Sequence, residues 1–177
     1  MKKKTLALVL ALTLLVAGIV GGTLAWLTDQ TAEVKNTFTV GDISIGLTET
    51  TADYKMVPGN TIAKDPTVTV KANSEACWLF VKVTESADLK DFITYAIAEG
   101  WTALPGVDGV YYREVPASAA DQTFSVLAGD AVTVKSDVTR TMLETAKTNA
   151  PTLTFKAYAI QKDHFATADA AWAEVSK

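Results

Sequence analysis

One cysteine and one histidine stand in 177 residues, and those two scarcities remove much of protein chemistry. Cys77 alone forms no disulfide within the chain, so the fold rests on its core. Its setting, "ACWLFVKV", is apolar and strand-forming, which reads as a buried, inert thiol rather than a link between chains. His164, in "QKDHFA", lacks the second histidine with which H-E-x-x-H places two ring nitrogens on one zinc ion, and it reads as a surface loop residue. There is no G-x-S-x-G elbow to turn the serines and aspartates into a triad, no P-loop, no G-x-G-x-x-G and no D-x-[DN]-x-[DN]-G calcium loop. "GVDGV" holds one carboxylate and reads as a turn. No catalytic residue, metal or cofactor is expected, and the chain is read as not an enzyme.

Positive charge is also sparse beyond the N-terminus. Three of the 16 Lys and Arg lie in residues 1–25, which hold no acidic side chain; the remainder carries 13 basic against 20 acidic groups, a net charge of −7. Such a surface repels nucleic acid and anionic membranes, and no basic stripe reverses it.

What is present begins with Lys2-Lys3-Lys4 and an apolar run from Leu6 to Val20. A basic n-region before an h-region is the pattern of a secretory signal peptide. Counted through Leu27, the run also reaches the length of a membrane anchor. Gly21-Gly22 interrupts the helix, and no basic stop-transfer cluster follows, which favours cleavage. Thr23 and Ala25 supply the −3 and −1 side chains of a cut that leaves Trp26 first. No cysteine follows the cut to carry a lipid, and "LPG" (104–106) lacks the threonine of a sortase signal. The expectation is a signal peptide over 1–25, a membrane contact limited to the precursor, and secretion to the matrix or cell surface.

After Thr28 the hydrophobic period becomes two. Val34, Phe38 and Val40 alternate with Lys35, Thr37 and Thr39, and Ile43, Ile45 and Leu47 with Ser44, Gly46 and Thr48. Turns fall at "PGN" (58–60) and "DP" (65–66), with a strand from Val68. "CWLFVKVTES" (77–86) is apolar on both faces, as a central strand is. "DLKDFITYAI" (88–97) reads as a helical turn passing into a strand, and "VYYREV" (110–115) pairs back across "LPGVDG". Two strands flank Gly129-Asp130, a helix covers 140–149, a strand covers 152–161, and Thr167 caps a closing helix. About eight strands at this spacing predict an all-β fold, an antiparallel β-sandwich of jelly-roll type with short helical insertions. Residues 41–177 form that domain, and 26–40 form an arm or first strand. The arm has no proline or glycine; it can pair with its own sheet or complete a neighbour's, and the second arrangement is head-to-tail and builds a filament. Trp78, Trp101 and Trp172 with Tyr111-Tyr112 read either as a carbohydrate platform or, as their alternation favours, as core.

"GGTLAWLTD", "NTFTVGDISIGLTE", "PGNTIAKDPTVTV" and "CWLFVKVTE", with the ending "LTFKAYAIQ…AW", resemble the TasA/camelysin family of Gram-positive secreted proteins. The likeness spans nearly the whole chain and is strongest in 18–49 and 58–70. It implies a jelly-roll subunit or accessory component of biofilm-matrix or cell-surface fibres, exported with the help of a SipW-type signal peptidase. It implies as partners related subunits or further copies of the chain, joined by a donor strand over about 26–40 with Val34, Phe38 and Val40 facing inward. Some members of the family are labelled metalloendopeptidases, and a secreted peptidase relying on His164 is one alternative. A monomeric adhesin using the aromatic residues is the other.

Overall fold

In the computed structural model, which describes residues 42–50 and 55–177, the organising element is the strand Cys77–Glu85 (β4). Successive side chains of a strand point to opposite faces, and both faces of β4 are covered. Cys77, Leu79, Val81 and Val83 enter one apolar cluster, while Trp78 and Phe80 enter another on the opposite side. Full burial of Leu79, Phe80 and Val81 contributes about 1.5–3 kcal/mol for each side chain.

The remaining strands are Ile45–Thr48 (β1), Thr61–Ala63 (β2), Thr67–Val70 (β3), Ile93–Thr94 (β5), Thr102–Ala103 (β6), Val110–Val115 (β7), Gln122–Ser125 (β8), Ala131–Val134 (β9) and Leu153–Gln161 (β10). Among the described residues they form three antiparallel sheets, β10-β4-β7-β6, β1-β3-β8 and β2-β9-β5. β10 lies on β4 along its whole length, from Leu153 opposite Glu85 to Gln161 opposite Cys77. On the other side of β4, Cys77 faces Val115 and Lys82 faces Val110. The sheet β1-β3-β8 packs over the odd-numbered face of β4, where Val68, Val70 and Val126 complete the main core.

Among the described residues three short helices fill in around these sheets: Leu89–Phe92 (α1), Arg140–Ala146 (α2) and Ala168–Val175 (α3). α3 covers the even-numbered face of β4, inserting Ala168, Ala171 and Trp172. Thr167 caps it, its hydroxyl accepting from the Ala170 N–H at 3.3 Å. Thr139 does the same for α2 with Met142. α2 packs Ala146, Met142 and Leu143 against Val134 and Phe92 beside the third sheet.

The all-β antiparallel expectation holds, as do the hairpin across "LPGVDG", now β6 and β7, and the helix-to-strand passage at 88–97. The strands flanking Gly129 are β8 and β9, yet they enter different sheets. Gly129 and Asp130 both take positive φ, 64° and 49°, which turns the chain from one sheet to the other. β2 is not legible as a strand in the sequence. Its three residues pair with β9, Ile62 facing Val132, between two turns. The strands divide among three sheets, and a jelly-roll winding stays an expectation. The signal peptide over 1–25 and the arm over 26–40 lie outside the described residues.

Candidate functional site

The residues expected to carry processing and assembly, Thr23, Ala25, Trp26, Val34, Phe38 and Val40, lie outside the described residues. Within its sheet β10 pairs with β4 alone among the described residues, so nine residues, about 30 Å of backbone, form a sheet edge. Leu153, Phe155, Ala157 and Ala159 all point from β10 toward the main core, but each is only half-buried. The β4 partners of the last three, Val83, Val81 and Leu79, are at most 6% exposed, while Leu153 faces Glu85 at the strand's end. The core is therefore closed over β4 and open beside β10.

Among the described residues β1 lies across that opening as the outer strand of its own sheet and makes no ladder with β10. Ile45 turns into the core, whereas Leu47 is 37% exposed. Between the two strands is a cavity of about 310 Å³ lined by Leu47, Thr48, Glu49, Pro66, Leu153, Thr154 and Phe155. A second cavity of about 450 Å³ shares Leu153 and Thr154 and continues to Met56, Ile62, Leu89 and Val132. Together they make a groove along the N-terminal half of β10, apolar at Leu153, Phe155, Met56 and Ile62 and polar at Glu49, Lys64 and Thr154.

Polar groups fasten one wall of the groove. The Thr50 N–H and hydroxyl donate to the two oxygens of Asp65 at 2.9 and 2.5 Å. These bonds hold the Asp65 carboxyl below the usual carboxylate range. Lys64, 7% exposed, donates to Glu49 at 2.6 Å, and its ammonium lies 5.4 Å from the centre of the Phe155 ring. The end of β1 is thus tied to the turn before β3 rather than to β10.

The other candidates from the sequence resolve simply. Cys77 is fully buried, and burial pushes its thiol up from 9.0 to about 11, as an inert core cysteine requires. His164 is exposed at the end of a 3₁₀ turn, Lys162–His164, that follows β10. Among the described residues no three His, Cys, Asp or Glu side chains gather as a metal would need. Trp78, Trp101 and Trp172 are at most 9% exposed, so they are core and not a platform. The Trp78 and Trp101 indoles donate to the carbonyls of Phe165 and Ser125 at 3.0 and 2.9 Å, which satisfies their buried N–H groups. Sequence reasoning saw the alternation of β10 but not that the strand lies at an edge. No local signal carries that, because it depends on which strands pair.

Among the described residues no helix is long and apolar enough to cross a membrane. No curated protein and no solved structure matches the chain. The family described as camelysin metallo-endopeptidase matches residues 1–79, a stretch that ends within β4 and contains no histidine. That match takes in both blocks that carry the resemblance, 18–49 and 58–70, and over those residues it is consistent with the TasA/camelysin family.

Proposed function

We propose that the protein is an exported structural subunit, or an accessory component, of extracellular matrix or surface fibres. The observation that carries this reading is the half-buried face of β10 beside an unladdered β1. Strand addition there would satisfy an exposed edge and bury Leu153 and Phe155 at one stroke. The proposed occupant is 26–40 of a second copy, whose Val34, Phe38 and Val40 alternate as a strand with one apolar face does. Fifteen residues span about 50 Å when extended, longer than β10. The contact is head-to-tail and does not close on itself, so it propagates a filament. Cleavage after Ala25 by a SipW-type signal peptidase would free that arm.

The test is removal of 26–40 together with 1–25. The shortened chain is expected to form no fibres by electron microscopy, and to bind a peptide of sequence 26–40 with a rise in melting temperature. Unchanged fibres from the shortened chain overturn the reading.

The family description favours a second reading, a metallo-endopeptidase. The donor set does not fit zinc: the one histidine is exposed and alone, and the one thiol is buried with a raised pKa. Chelator-sensitive hydrolysis of casein that is lost in His164→Ala would reverse this ranking.

A further inference from the structure

A separate cleft of about 410 Å³ opens where the ends of β4 and β7 meet β5 and the chain that follows it. Its apolar lining is Ile93 and Ile97, and the half-buried rings of Tyr95 and Tyr111 form part of its wall. Tyr95 donates its hydroxyl to Glu85, and Lys90 lies 3.7 Å from the same carboxylate, so Glu85 is engaged from two sides. Lys135 completes the lining. Its main-chain N–H is held by the Phe92 carbonyl at 2.9 Å, which fixes its place in the cleft. Among the described residues neither the Lys135 ammonium nor the Tyr111 hydroxyl has a hydrogen-bond or ion-pair partner. Lys135 thus brings to the cleft a cation without a counter-ion, on a chain of net charge −4.

We propose that this cleft binds an acidic sugar residue of a polysaccharide, with its carboxylate on Lys135. The other features fit the same ligand. Two tyrosines stand in the lining, and an amphipathic ring of that kind suits the C–H face of a pyranose. The Tyr111 hydroxyl gives a donor or acceptor to a ring hydroxyl. The volume accepts about one or two sugar units on the scale of ordinary ligand pockets, which begin at about 300 Å³. Glu85 does not oppose the carboxylate as a bare charge would, because Tyr95 and Lys90 already share it. The cleft shares Ile93 with the β10 groove but has its own opening, and it does not depend on strand exchange.

The experiment is affinity electrophoresis of the full-length chain in mild detergent, in native gels containing polygalacturonate, neutral galactan or poly-glutamate. Retardation is expected in polygalacturonate alone. Lys135→Gln should weaken it about tenfold, the loss of one charge-assisted hydrogen bond, and Tyr111→Phe by a few-fold. Lys177→Gln, on the exposed C-terminal residue, should leave it unchanged. Melting curves confirm that each variant is folded. No retardation of the wild type, equal retardation of Lys135→Gln, or equal retardation in poly-glutamate overturns the proposal.

Discussion

The Trp172 ring stands 5.3 Å from the ring of Phe80, centroid to centroid, and through that pair α3 closes the second face of β4. Tyr158 of β10 meets the same indole edge-on at 5.1 Å, so one C-terminal side chain ties helix, central strand and edge strand together. Trp172→Ala opens a cavity at this junction and is expected to cost about 3 kcal/mol. Urea unfolding followed by circular dichroism measures it; a loss below about 1 kcal/mol would mean that α3 is not integral to the fold.

Gly109 answers to a different constraint. Its φ is +71°, and a Cβ there would lie 2.4 Å from the Val83 carbonyl oxygen. The approach exists because Val83 donates its N–H to the Gly109 carbonyl at 2.7 Å, extending the pairing of β4 and β7 into the loop. Gly109→Ala must therefore displace backbone, and a destabilisation of about 2 kcal/mol is expected. Gly59, also at positive φ but with open space around its Cβ position, should lose less on the same substitution.

Cys77 links the core to pH. Burial raises its pKa in the folded state from 9.0 to about 11. Between those values the unfolded chain loses the proton that the folded chain keeps. Stability therefore falls as pH rises through this window, at up to about 1.4 kcal/mol per pH unit. Thiol labelling at pH 8.5 should occur only in denaturant, and Cys77→Ser should remove this part of the alkaline slope.

Asp65 titrates in the opposite sense. Two bonds from Thr50 stabilise its charged form, so its folded pKa is depressed and its contribution is present above the ordinary carboxylate value. That contribution is lost as pH falls below about 4, through the depressed pKa. Thr50→Val removes the hydroxyl bond, and carbon-13 titration should then find Asp65 closer to an ordinary aspartate. An unmoved midpoint would mean that the hydroxyl bond is absent in solution.

Several of these relationships are legible in the residues themselves. A strand apolar on both faces must be covered twice, and β4 is, by β1-β3-β8 on one side and α3 on the other. Thr167 before an apolar helical stretch is a cap because its hydroxyl is placed to accept an N–H of the first turn. The alternation of β10 likewise shows which side chains face the core. It does not show that Phe155 and Ala157 are only half covered, because that follows from β1 joining β3 instead of β10, a choice between distant partners. β2 is hidden for a related reason, since three residues between turns carry no period and become a strand only beside β9. The cleft of Tyr95, Tyr111 and Lys135 gathers side chains from three parts of the chain with no shared motif.

Leu47 separates folding from assembly. It lines the groove between β1 and β10 and is exposed enough that a polar side chain there meets water. Leu47→Lys should leave the isolated subunit within about 0.5 kcal/mol of the wild type, as surface substitutions do. In a complemented sheet the same ammonium would sit where the arm's apolar face must pack, and burying it unpaired costs several kcal/mol. The variant is thus expected to melt normally and to fail to form fibres, even when the cleaved arm is present. Mixed with the wild type, it should still donate its own 26–40 to a wild-type groove and so cap growing filaments at one end, shortening them in electron micrographs. Fibres of normal length and number from pure Leu47→Lys would place the acceptor surface somewhere other than this groove.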